Sequence, residues 1–260
     1  MKLFFREYGA GKPAIILHGL FGMSDNWMTM AKRLSENDFH VITPDLRNHG
    51  QSPHSEEWDY VWMADDVFEL MDAEKIINPV VIGHSLGGKV AMQMVSKQQE
   101  KFSGIVVADI APKKYPVMHG SILSALRELN LQSLSSRKEA EQILSQKITD
   151  NATLQFLMKN IFRKDVNEKK LLSWRFNLEV ISEKIDAIGN EIMFRSPVEL
   201  PAMFIRGERS DYVTDSDFLT VKKAFPAAEL ITIKNSGHWI HAEQPDNFFT
   251  IVSEFLNTFS

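Results

Sequence analysis

From residue 13 to residue 109, short apolar runs alternate with segments whose apolar residues recur at helical spacing. Ala14-Ile15-Ile16-Leu17, Val80-Val81-Ile82 and Ile105-Val106-Val107-Ala108 are apolar at every position, as strands covered on both faces should be. His40 to Thr43 reads as a further strand. Between these runs, Ser24 to Asn37, Asp59 to Ile77 and Leu86 to Gln99 carry the three-to-four-residue period of amphipathic helices. Strand alternating with helix predicts a mostly parallel sheet flanked by helices, an α/β fold.

Beyond Pro112 the pattern becomes helical with little strand signal, through Ile122 to Leu129, Ala140 to Leu144, Leu154 to Phe162 and Leu171 to Phe176. Alternation resumes with a strand at Pro201 to Ile205, a helix at Asp215 to Phe225, a strand at Glu229 to Ile233 and a last helix opened by Pro245-Asp246. The reading is one sheet domain interrupted by an inserted helical cap. Residues 1–112 form the first part of the core, 113–196 the cap and 197–260 the second part of the core. Neither an internal repeat nor a low-complexity tract interrupts this plan.

At 260 residues the chain is long enough for one large domain with an insertion. It has no cysteine, which excludes disulfides, a thiol nucleophile and thiolate metal sites. The apolar run near the first residue stops after three positions, too short for a signal peptide. No stretch is long enough to span a bilayer, so a cytoplasmic protein is expected. The net charge of −5 and the pI near 5.9 argue against a nucleic-acid module. Residues 113–195 hold 14 Lys and Arg against 10 Asp and Glu, a net +4, which leaves −9 for the remainder. That asymmetry fits a solvated helical surface, or one that steers anionic ligands.

The most informative segment is Pro79-Val80-Val81-Ile82-Gly83-His84-Ser85-Leu86-Gly87-Gly88, an apolar strand entering G-x-S-x-G and then a helix. This is the context of a nucleophile elbow, in which a strained turn holds a serine oxygen clear of the backbone. The same glycines do not form a phosphate loop, because the G-x-x-x-x-G-K-[ST] spacing is missing, and Lys89 reads as an ordinary helix residue. A serine nucleophile needs a base within hydrogen-bond reach. His238, in the turn-rich Asn235-Ser236-Gly237-His238-Trp239 after the strand ending at Ile233, falls at the same carboxyl edge of the sheet as Ser85. His241 could pair with it at a metal, yet no third ligand lies near, and no metal is expected. His84 packs beside the elbow; His40, His54 and His119 read as surface or loop residues. The loop His18-Gly19-Leu20-Phe21-Gly22 follows the first buried strand. Its Leu20 N–H and the Leu86 N–H are the expected oxyanion donors, with Phe21 the neighbouring choice.

These pieces resemble the α/β-hydrolases, and more narrowly the YbfF-type bacterial esterases and their ABHD relatives. The matching residues are His18-Gly19-Leu20-Phe21-Gly22, Asp45-Leu46-Arg47-Asn48-His49-Gly50-Gln51-Ser52, Gly83 to Lys89, Asp109-Ile110-Ala111-Pro112, Trp174-Arg175-Phe176-Asn177 and Gly237 to Glu243. The resemblance implies the α/β-hydrolase fold and cofactor-free hydrolysis of a small-molecule ester or thioester through an acyl-serine. Where many α/β-hydrolases carry an acid in G-x-x-D, this chain has Gly207-Glu208-Arg209-Ser210, with Asp211 one position late. Asp109, one strand after the elbow, is the rival that the narrower resemblance favours, with Ser210 or Asp211 in support. Either choice keeps the order serine, acid, histidine.

For the acyl pocket the candidates are Phe156, Leu157, Phe162, Trp174 and Phe176 from the cap, with Phe21 and Met23 from the core. Other chemistries of this scaffold, such as C–C bond hydrolysis or perhydrolysis, and a slow-turnover ligand receptor are the alternatives.

Overall fold

In a computed structural model of the protein, residues 1–116, 120–166 and 169–259 are described. The central sheet joins seven strands: β1 (Phe5–Tyr8), β2 (Lys12–Leu17), β3 (Phe39–Pro44), β4 (Val80–His84), β5 (Gly104–Ala108) and, after the insert, two more. The insert holds α-helices and a separate two-stranded hairpin of β6 (Ile161–Val166) and β7 (Lys169–Trp174). β8 (Ala202–Gly207) and β9 (Glu229–Ile233) complete the sheet in the order β1-β3-β2-β4-β5-β8-β9, parallel throughout except for β1.

Side chains alternate across each buried strand, so the two faces have separate cores. Ile15, Leu17, Val81, Ile105, Val107 and Phe204 point to one side. Ala14, Ile16, Ile82, Val106, Met203 and Ile205 point to the other. Helix α1 (Met28–Ser35) covers the second face with Met30, Ala31 and Leu34. On the first face lie α2 (Tyr60–Ala73), through Met63, Val67 and Met71, and α3 (Leu86–Gln98), through Val90, Ala91 and Met94. Asp59 caps α2 by accepting the Trp62 N–H at 2.9 Å.

The insert between β5 and β8 contains α4 (Gly120–Glu128), α5 (Arg137–Leu144), α6 (Asn151–Met158) and α7 (Leu178–Glu183). Its stems run side by side: Tyr115 N–H donates to Gly189 O at 2.7 Å and Ile192 N–H to Pro112 O at 2.8 Å. After β8, α8 (Asp215–Ala224) begins in a capping box of Thr214 and Asp217. The short α9 (Ile240–Glu243) leads to α10 (Pro245–Asn257), whose Phe248, Val252 and Leu256 join α1 on the second face.

Two expectations need correction. Ile161-Phe162 and Leu171 to Trp174 are not helical but form β6 and β7, with Ile161 opposite Trp174 and Phe162 opposite Ser173. An apolar pair in a short charged run satisfies either period, and cross-strand pairing decided this one. β1 was not foreseen: its mixed Phe5-Arg6-Glu7-Tyr8 sequence lies at the sheet edge, where only one side pairs. Among the described residues no helix is long and apolar enough to cross a membrane.

Candidate active site

β4 ends at His84, α3 begins at Leu86, and Ser85 between them is left-handed, with φ 53° and ψ −117°. A non-glycine residue held there stores about 1–3 kcal/mol of strain. The Ser85 N–H donates to Ala108 O at 3.0 Å, which fixes the turn against β5. The chain doubles back so closely that a Cβ on Gly83 would overlap the Gly87 carbonyl, and one on Gly87 the Leu17 carbonyl. Amides in the first turn of α3, Leu86 included, have no partner within the helix and carry its positive end.

At the end of β5, Asp109 has φ 52° and is fully buried. Its Oδ1 accepts the Gly207 N–H at 3.2 Å. Its Oδ2 accepts both the Ser210 hydroxyl and His238 Nδ1, the latter at 2.7 Å. The turn that follows β8, closed by Ser210 N–H to Gly207 O at 3.1 Å, aims Ser210 inward and leaves Asp211 exposed, with no hydrogen bond to His238. Of the two candidate acids, the geometry brings Asp109 to the imidazole. Ser210 meets the same carboxylate oxygen rather than the ring.

The imidazole of His238 is held on its faces as well. Tyr212 stacks on it at 3.9 Å between ring centroids, tilted by only 21°, and His84 approaches at 4.8 Å. His84 Nε2–H donates to the His238 carbonyl at 2.8 Å, and burial holds this ring well below the ordinary histidine pKa. His241 belongs to the same aromatic group. It stacks on Trp27 at 4.2 Å, and burial pushes its pKa down to about 3. No cluster of potential metal ligands exists among the described residues. His18 accepts the Leu46 N–H through Nε2 at 2.9 Å and donates through Nδ1 to Gly19 O at 2.8 Å, so it anchors the loop that carries Leu20.

Two clefts meet at Ser85. The wider is lined by Phe21, Ile122, Phe156, Leu157, His238 and Trp239 among others. The narrower runs past Leu20 and Leu86 to Tyr60, Lys89, Tyr115 and Ile188.

The chain matches the model of the alpha/beta hydrolase fold family over residues 12–245. It belongs to the α/β hydrolases. The esterase YbfF of Escherichia coli K12 is 34% identical over 265 residues, covering 99% of this chain and all of that protein. The mouse sn-1-specific diacylglycerol lipase ABHD11 is 34% identical over 252 residues, 94% of this chain and 81% of the lipase. A solved structure titled a marine microorganism esterase superposes with a TM-score of 0.94 at 41% identity, over 98% of this chain and 99% of that one. The chain is a hydrolase of the esterase and lipase type.

Only part of the expected pocket of this α/β hydrolase lines its clefts. Phe21, Phe156 and Leu157 do. Phe176 instead packs behind Phe21 at 4.9 Å, Trp174 stacks on Phe176 at 5.0 Å, and Phe162 lies under the Arg175 guanidinium at 4.9 Å. Met23 is buried in the turn that enters α1 and lines neither cleft. Their apolar spacing marked packing positions. Lys89 is no ordinary helix residue: it is 1% exposed and donates to the Lys113 and Asn190 carbonyls at 2.6 and 2.7 Å. Burial pushes its ammonium down to about 7, with Glu191 pulling the other way. Tyr212 carried no signal in the sequence beyond its nearness to Ser210. His40 and His54 make surface contacts with Glu7 and the Arg175 carbonyl; His119 lies outside the described residues.

Proposed function

We propose that the protein is a serine carboxylesterase acting on small to medium acyl esters through an acyl-serine intermediate. Ser85 is the nucleophile, His238 the general base and then acid, and Asp109 the orienting acid. The observation that carries this reading is the 2.7 Å bond from His238 Nδ1 to a buried Asp109, in a cleft that His238 shares with the left-handed Ser85. With Nδ1–H given to the carboxylate, Nε2 is left free to take the Ser85 proton as Oγ attacks the ester carbonyl. The carbonyl oxygen gains charge beside the Leu20 and Leu86 amides, where preorganised donors stabilise it. His238 then returns the proton to the leaving oxygen, and the same base activates water to free the carboxylic acid.

That second transfer assigns the clefts. The leaving group must lie within reach of His238, hence in the wide cleft with Phe156 and Trp239. The acyl chain then occupies the narrow cleft toward Tyr60 and Tyr115. Residues 113–196 act as a cap, supplying Phe156 to one cleft and Tyr115 to the other. Thioesters fit the same cycle, with a thiol as the leaving group.

The reading is tested by p-nitrophenol release from acetate through palmitate esters and thiol release from acyl-CoAs, for wild type and Ser85→Ala. Turnover abolished by the substitution supports it. A folded wild type without turnover, or a substitution without effect, overturns it.

A further inference from the structure

Lys89 lies one helical turn beyond Ser85, and its backbone N–H donates to the Ser85 carbonyl at 3.1 Å. Its ammonium leaves α3 and bonds the carbonyl of Lys113 in the departing stem of the insert and that of Asn190 in the returning stem. The stems already pair with each other through Tyr115 to Gly189 and Ile192 to Pro112, which accounts for other carbonyls but not for these two. The Tyr60 and Tyr115 rings flank the ammonium, their centroids 5.7 and 5.2 Å away, and the Tyr60 hydroxyl donates to Ile188 O. A buried ammonium with two carbonyl partners and two aromatic faces is fully engaged by the protein. Every group it engages borders the narrow cleft or roots the insert above it.

We propose that Lys89 is a positioning residue, whose ammonium clasps both stems of the insert to the nucleophile helix and so sets the narrow cleft in which the acyl chain is held. The proposal rests on the serine-esterase reading for its catalytic consequence, while the clasp itself is a statement about the stems. Tyr115, Ile188 and Gly189, all wall residues of this cleft, are carried by those stems. Loss of the ammonium lets that wall move relative to Ser85. A chain that fills the cleft depends on the wall for its alignment, and a displacement of about 1 Å costs up to about 10²-fold in rate. An acetyl group scarcely reaches it.

The test compares wild type with Lys89→Met, and with the donor-retaining Lys89→Gln should the first fail to fold. The expected result is a butyrate-to-acetate ratio of kcat/KM lowered about tenfold, while labelling of Ser85 by a small fluorophosphonate slows far less. Amide exchange at Tyr115 and Ile192 should quicken about tenfold or more relative to the sheet. In Lys89→Ala, n-propylammonium should restore the ratio saturably. Equal losses for acetate, butyrate and labelling would reduce Lys89 to a general folding residue. Unaltered stem exchange would also overturn the proposal, and this arm decides even if wild type hydrolyses none of the esters. Absent wild-type turnover would count against the esterase reading alone.

Discussion

Acidification from about pH 8 to about pH 5 should cost this protein much of its stability, because it buries several histidines in neutral form. Burial depresses His18 to about 4 and both His49 and His241 to about 3, against an ordinary value of 6.5. His84 is shifted the same way. As pH falls through 6.5 the unfolded chain takes up protons that the folded chain refuses until about pH 4 or below. The stabilising difference is therefore complete above 6.5 and is lost toward acid. At about pH 5, roughly 1.5 units into this window at about 1.4 kcal/mol per unit, each of these three sites has lost about 2 kcal/mol, or about 6 together. Lys89, half neutral near pH 7 when folded but fully charged when unfolded, adds about 1 kcal/mol of the same sign over the interval. Against a usual total of about 5–15 kcal/mol, this is most of the margin. Urea unfolding followed by tryptophan fluorescence at about pH 8, 6.5 and 5 measures the loss. The variant His241→Phe can keep the stack on Trp27 and removes a ring whose Nδ1 has no hydrogen-bond partner among the described residues. It should flatten the slope by close to one proton. Equal stability at the two extremes, or an unchanged slope in the variant, would refute the argument from burial.

Further outcomes follow from the site and its supports. Asp109→Asn should lower kcat by about 10³–10⁴ with little change in KM, since the amide cannot hold the imidazole in the working tautomer; Asp211→Asn should stay within about threefold, as steady-state kinetics on butyrate would show. Ser210→Ala, which removes a donor to Asp109 Oδ2, should reduce kcat by about threefold to tenfold and displace the acidic limb of the pH–rate profile. In the buried pair of Arg47 with Asp66, bonded at 2.5 and 2.8 Å, Asp66→Asn or Arg47→Met alone should destabilise by about 3–5 kcal/mol; the double change, measured in the same urea assay, should recover part of that.

The fold was legible wherever a strand is apolar on both faces. β2, β4 and β5 read directly because helices cover the sheet on each side, leaving no polar position in Ile15 to Leu17 or Ile105 to Ala108. β1 escaped because its four residues mix apolar and charged side chains without a clear period, and β6 and β7 escaped because their apolar pairs are too short to fix a period. In each case the deciding contact is with residues distant in sequence: Phe5 with Pro44, and Ile161 with Trp174.

The same distinction explains the site. Ser85 is legible because its strain is local, written in the glycines at 83 and 87 that the turn's own backbone demands. Choosing between Asp109 and Asp211 needs the spatial neighbour, since spacing along the chain says nothing of β5 lying beside β8, where one turn aims Ser210 at Asp109 and sends Asp211 outward. Lys89 is the extreme case. Its identity reads as a solvent-facing helix position, and only the convergence of carbonyls from residues 113 and 190 makes a buried ammonium tolerable there. A charge kept in such a place at that desolvation cost must have its partners held in position. On the clasp proposed above, the stems are in turn fixed by the charge they surround. The parts of this site that local sequence cannot reveal are thus those where the insert meets the helix after Ser85, and on the proposed function changes in acyl selectivity should map to them rather than to the elbow.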